Sequence, residues 1–502
     1  DSLPPKLGNL SNLYVLILSH NLLSGSIPVN IGNLSNLEWM YLDHNQLGGS
    51  IPIEIGNLTS LRQMDLSNNL LSSDVPDSFV NLVNLYNAGS YHVGDGLYLD
   101  DNMLNVPAGY PDPNNPLQVF LSQKDSDWHL HQYSSFCLAV SEIPQIECIT
   151  LEALYNSTDG PGWEYNYNWL ETDTPSDWFG VTVESGHVTA LQLPHNHLSG
   201  SIPSQMGNLS NLGYMDLANN QGIDGPIPIE LGELSNLGYL NLYGVYVSGY
   251  IPAELGNLSN LWYLNLSTTR LSGPIPPELG SLSKLTVIDL SYNQLSGSIP
   301  AELGNLTNLY EMYLMYDQLS GTIPAELGNL SNLTLLDLSV NYLSGSIPPE
   351  IGNLKSLKWL FMTNNQLSGS IPVELGNLYL LESLWLGTNL LSGFIPTEIG
   401  NLSNLSQLWL PNNNLSGSIP LELGNLVQLR ELHLGNNQLS GSIPAELGNL
   451  SNLWVLDLPH NQLGGAIPPE LCNLVQVRWL GLSNNQLSGP IPAELGHLSN
   501  LE

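Results

Sequence analysis

A chain of 502 residues is too long to fill one ordinary compact core, and its bias toward Leu, Asn, Gly, Ser and Pro, with charged residues at only 11%, calls for repeats before any string of globular domains. Nine Lys and Arg face 45 Asp and Glu, a formal net charge of −36. Binding phosphates takes clustered cations, so this balance argues against a nucleic-acid partner and against an anionic membrane surface. No apolar run reaches the roughly 18 residues that crossing a bilayer needs.

The first element is a repeat array, expected over residues 1–104. The unit is plainest where residues 429–452 align with 453–476, at a period of 24: L-x-x-L-x-L-x-x-N-x-L-S-G-x-I-P-x-E-L-G-N-L-x-x. The L-x-L alternation predicts a short strand with its leucines on one side. Asn at the ninth place can donate to and accept from the backbone of a buried corner. The Ser-Gly pair turns the chain and Ile-Pro extends it. Pro-x-Glu-Leu-Gly then reads as one helical or 3-10 turn, with Glu at its positive end and Gly closing it. One unit cannot bury its own leucines, but stacked copies can. The Asn place holds Asn21, Asn45 and Asn69 here. In a second array it holds Asn196, Asn220, Asn293, Asn341, Asn365, Asn389, Asn413, Asn437, Asn461 and Asn485. Val245, Thr269 and Asp317 break the pattern, with an interruption expected near Val245, after an insertion around Gln221.

This register resembles the leucine-rich-repeat family, in its plant-type class with the L-S-G-x-I-P segment, similar also to bacterial secreted and surface repeat proteins. The resemblance covers nearly the whole chain. It implies an α/β solenoid with a parallel sheet on the concave face, short 3-10 or helical turns on the convex face, and a second, narrower sheet from the L-S-G-x-I-P segments.

Regularity fails after Leu85, and a distorted last repeat returns over residues 97–104. Residues 105–135 are expected to be a C-terminal cap, with helical spacing of apolar groups over 117–128 to cover the open end of the core. A linker follows at 136–148. Cys137 and Cys148 flank it and could form a short-loop disulfide, two free thiols being the alternative. Residues 149–190 resemble the N-terminal cap of the same family, opening on a helix from Ile149. The family usually has C-x-W-x-G-V-x-C here, where this chain has Ser176 and Val183, so the cap is expected to rest on packing of Trp163, Trp169 and Trp178. The second array occupies 191–502, with no C-terminal cap. No signal peptide is visible, and both ends of the chain fall inside a repeat; the expectation is a segment of something longer. Cys472 stands where other repeats have Gly, and is read as a small buried thiol.

On the concave face the non-Leu places are not dictated by the core. Tyr313, Phe361, Trp385 and Trp409 occupy the middle of L-x-L, and Tyr239, Tyr263 and Trp359 lie just before it. Aromatic rows commonly mark an interface, so these seven residues are the candidate ligand-binding site; mutual stabilisation by adjacent strands is the plainer alternative. A glutamate file from Glu230 to Glu494 fits the dipole of each turn, with weakly bound Ca2+ along it as the functional alternative. Otherwise neither cofactor nor metal is expected. His129 and His131, near Asp125 and Asp127, read as solvated cap residues before metal ligands. The sequons at Asn9, Asn33, Asn57, Asn257 and Asn449 are candidate glycosylation sites, although the repeat generates them automatically.

No P-loop, G-x-S-x-G, H-E-x-x-H or zinc-spaced cysteine pair is present, and no enzyme is expected. The expected function is an extracellular or cell-surface recognition protein whose concave face binds a protein or polysaccharide. The alternative is a segment of a cell-surface fibre or sheath whose uncapped ends stack on other copies. A glycan-hydrolase inhibitor or ice binder is a more distant reading, implied only by plant relatives of the repeat.

Overall fold

The computed structural model describes residues 3–21, 23–87, 96–100, 102–106, 110–125 and 135–501. The chain forms two compact units, Asp1–Ala153 with Leu170–Pro175, and Leu154–Trp169 with Ser176–Glu502.

In the second unit each repeat carries out what its pattern predicts. The copy at 285–308 opens on the strand Val287–Asp289, which turns Ile288 inward between Leu285 and Leu290, all three fully buried. A second strand, Gln294–Gly297, ends on Gly297 at φ 79°, a left-handed turn that disfavours any Cβ. Pro300 then leads into the 3-10 turn Ala301–Asn305, with Glu302 in its first turn. The strands pair in parallel at a constant offset of one repeat, Val287 with Glu311 and Asp289 with Tyr313. Among the described residues the long sheet runs from Val181–Glu184, antiparallel to its neighbour His187–Gln192, through to Trp479–Gly481. The expected narrower sheet also forms. It breaks between Gly222–Asp224 and Ser248–Gly249, on either side of Val245.

Asparagine closes each corner. Asn365 Nδ2 donates to Leu338 O at 2.9 Å and Met362 O at 3.3 Å, while its Oδ1 accepts from Leu343 N at 3.0 Å. One side chain thus pairs three buried backbone groups on two consecutive copies. The exceptions are partial substitutes. Asp317 Oδ1 still accepts from Leu295 N at 2.8 Å, but its buried Oδ2 has no partner. Thr269 donates through Oγ1 to Asn293 Oδ1.

The glycine of the L-G-N segment serves a different purpose from turn closure. A Cβ on Gly304 would lie 2.4 Å from Glu326 O of the next copy, so glycine is needed for the close approach of successive turns. Cys472 occupies this place as a half-exposed thiol, not the buried one expected.

In the first unit two parallel sheets stack in the same way, Val15–Ile17 through Leu97–Tyr98 and Ser24–Gly25 through Met103–Leu104. The distorted last repeat contributes a full corner that the pattern alone did not assign: Asn102 donates to Leu66 O at 2.8 Å and accepts from Leu71 N at 3.0 Å. Helix α1, Pro116–Lys124, starts where Asn115 Oδ1 accepts from Leu117 N and Gln118 N. Its Leu121 joins the core of this unit, 2% exposed. The helix ends four residues before the expected Trp128, because Asp125 leaves helical geometry and accepts from Leu99 N at 2.8 Å. Asp127, His129 and His131 lie outside the described residues. Cys137 and Cys148 form a disulfide, with Cα atoms 5.7 Å apart.

Helix α2, Gln145–Ser157, begins four residues ahead of the expected Ile149. In the second unit Trp163, Trp169 and Trp178 are each at most 5% exposed, with Trp169 ring centroids 4.9 and 5.1 Å from those of Trp163 and Trp178. Trp163 Nε1 donates to Thr158 O and Trp169 Nε1 to Phe179 O, so both indoles are buried with their donors paired.

Candidate ligand-binding face

Because every strand of the long sheet repeats the same register, residues one period apart lie side by side. Phe361, Trp385, Trp409 and His433 are paired across consecutive strands, with successive ring centroids 4.8, 4.9 and 4.3 Å apart. All four are half-buried by one another. The row ends at Asp457, whose carboxylate lies 3.5 Å from His433 Nδ1, while Glu431 lies 3.5 Å from Nε2. Glu431 also accepts from Trp409 Nε1 at 3.2 Å. Trp385 Nε1 has no acceptor although the atom is enclosed.

The other expected residues separate from this row. Tyr239 stacks on Tyr214 at 4.1 Å and on Tyr263 at 4.4 Å, nearly parallel, in the column two residues earlier. Burial, then the Tyr214 hydrogen bond and the neighbouring Tyr263, push the Tyr239 hydroxyl well above the usual phenol range. Tyr313 lies between Asp289 and Asp337 and donates to Glu311 Oε2 at 3.1 Å. Burial, followed by the Glu311 carboxylate, pushes its hydroxyl up in the same sense. Asp337 is raised too, chiefly by burial. Trp359 lies in the tyrosine column, with Lys358 Nζ 5.7 Å from its ring. The seven candidates therefore form two ring clusters, one isolated tyrosine and one tryptophan at the rim.

A feature of the face that the aromatic pattern did not reveal is its cations. Of the nine Lys and Arg in the chain, Lys358, Arg430 and Arg478 occupy one place in the repeat, the residue before the strand. Lys358 lies 3.9 Å from Glu382. Arg430 and Arg478 both lie over exposed Trp454, at 5.4 and 5.8 Å. The signal was available, because four of so few cations fall at this register position, Arg62 before Gln63–Asp65 in the first unit being the fourth. A groove of about 510 Å³ runs along this rim between Lys358 and Arg430, past Glu382, Ser406 and Gln428. A larger groove of about 1050 Å³ follows the Ile-Pro flank, beside exposed Val373, Phe394 and Leu421, with no cation in its lining.

The sequon asparagines Asn9, Asn33, Asn57, Asn257 and Asn449 each end a 3-10 turn and are exposed.

The pattern of strand, Asn corner and 3-10 turn has direct counterparts. Models of a leucine-rich repeat region match residues 215–346 and 325–439, and the Leucine Rich Repeat model matches 12–34, 36–58, 60–82, 452–474 and 476–498. The chain belongs to the leucine-rich-repeat family. It is similar to the plant peptide hormone receptor RGFR1, solved in complex with RGF2, at 31% identity and a TM-score of 0.57, over 98% of this chain and 74% of that one. Likewise it is similar to a TDR receptor at 28% identity and a TM-score of 0.61, over 100% of this chain and 74% of that one. Among curated sequences, the Arabidopsis thaliana leucine-rich repeat receptor protein kinase EMS1 is 37% identical over 75 residues, 15% of this chain and only 6% of that relative.

Proposed function

We propose that the second unit is an extracellular, non-catalytic recognition module that seats an extended peptide segment of a protein partner along the concave face, over Phe361, Trp385, Trp409 and His433. The observation that carries this is the aromatic row beside a rim holding three of the chain's nine cations. Large rings supply contact area at small entropic cost, and the rim sets register through charge. The mixed rim, with Lys358 beside Glu382 and Arg430 beyond Ser406, suits a peptide of mixed charge better than a neutral sugar chain. The enclosed Trp385 Nε1 gives a ligand carbonyl a donor to claim once the rings part, since an unpaired buried donor costs about 1–3 kcal/mol. The similarity to a receptor solved with its peptide hormone supports the peptide class, and receptor ectodomains support the extracellular setting.

The test is a random-peptide library and a glycan array, both probed with the wild-type chain and with a Trp385→Ala, Trp409→Ala variant of unchanged circular dichroism. Peptides held by the wild type and lost by the variant are expected. Retention of glycans alone would reassign the face to polysaccharide, and equal retention by both proteins would sink the reading.

A further inference from the structure

Two histidines in the first unit depart from their repeat in a way that has a chemical consequence. The residue that follows the strand's last turn is held at positive φ in copy after copy, and it is Asn at 68, 219, 364, 412, 436 and 484. Where a single His takes this place, its ring is satisfied by the next copy. Asn219 Nδ2 lies 3.1 Å from His195 Nε2, and Asn484 Nδ2 lies 3.1 Å from His460 Nε2. At 20 and 44 two histidines follow each other, and their rings stack at 4.1 Å. Both turn a ring nitrogen to one carboxylate oxygen: Asp43 Oδ2 is 3.1 Å from His44 Nδ1 and 3.9 Å from His20 Nε2.

We propose that His20, Asp43 and His44 form a binding site for a divalent transition-metal ion of the Zn2+ class. The three ligand atoms lie within 4.8 Å of one another, in the sole such trio of His, Cys, Asp and Glu among the described residues. Metal–ligand bonds of roughly 2.1 Å place tetrahedral ligands about 3.4 Å apart, and the two distances to Asp43 straddle that value. Closing the site takes a movement of exposed His20 toward Asp43 Oδ2. The backbone is already fixed, with His20 N donating to Asp43 O and His44 N to Ser67 O. Ser19 Oγ donates to Asp43 Oδ1, which leaves Oδ2 to the metal and orients the carboxylate as an outer-shell partner does. Two imidazoles and one carboxylate select Zn2+, Co2+ or Ni2+ over Ca2+ or Mg2+, and the net charge of −36 concentrates cations near the surface. Three protein ligands leave a position for water.

The test is calorimetric titration of the full chain with ZnCl2, alongside His20→Ala, Asp43→Asn and His460→Ala. One saturable equivalent is expected in the wild type and in His460→Ala, weakened at least about tenfold in His20→Ala and Asp43→Asn. His20 is exposed, so its loss leaves the fold intact, which circular dichroism checks. Absence of saturable binding to the wild type, or wild-type affinity in His20→Ala, would overturn the assignment.

Discussion

Trp385 and Trp409 stack across adjacent strands at 4.9 Å, with their planes 21° apart, on the face of the sheet that the leucines leave free. The pair is half-buried by its own neighbours, and so has two roles open to it, stabilising the sheet and receiving a ligand. Stacking of this kind adds about 0.5–1.5 kcal/mol, while a hot-spot tryptophan in an interface is worth at least about 2 kcal/mol. Trp409→Ala is therefore expected to lower the melting temperature slightly and to weaken a bound peptide roughly 30-fold. Calorimetry on one preparation measures both. A large loss of stability with unchanged affinity would assign the row to the scaffold alone.

Asp317 makes stability depend on pH. Burial, outweighing the hydrogen bonds from Leu295 and Asn293, raises its carboxyl from 3.8 to about 8. In the unfolded chain it ionises near the ordinary value, and in the folded chain only near 8. The folded state therefore binds the extra proton between these values, and its stability falls as pH rises through that window. Asp317→Asn restores the corner amide and removes the titration. Its gain over the wild type should be small at pH 4 and grow to several kcal/mol, about 5 at most, at pH 8, read as a widening gap in denaturation midpoints. A gap that stays constant from pH 4 to 8 would refute the buried neutral acid.

Val340 sits at φ 55°, in the place that most often holds Asn. A β-branched residue pays for left-handed geometry with about 1 kcal/mol or more. Val340→Asn should stabilise the array by about 1 kcal/mol, measured by chemical denaturation, with no change in the circular dichroism spectrum.

Gly304→Ala should act in the opposite sense. Its Cβ would meet Glu326 O, and backbone cannot yield as a flexible side chain would. A loss of about 1–3 kcal/mol is expected in thermal unfolding. An unchanged melting temperature would mean that successive turns are not in close contact.

Much of this fold was legible because one periodicity governs it. The inward leucines and Asn365 follow from period and residue type alone, since a buried corner must pair its backbone. The glycine was misread because turn closure and close approach predict the same letter, and only the neighbouring copy tells them apart. Asn102 stands off the regular count because residues between Asn69 and Leu97 interrupt it. The aromatic row was visible along one column, but Lys358, Arg430 and Arg478 fall in another, as do His20 and His44. Reading each column separately exposes both groups; following the leucines alone does not.

The most direct measurement is hydroxyl-radical footprinting of the full chain with and without the strongest-binding peptide. Protection centred on Phe361, Trp385, Trp409 and His433 is the predicted result. Protection of Phe394 and the Ile-Pro groove, with Trp385 and Trp409 equally oxidised in both states, would contradict it.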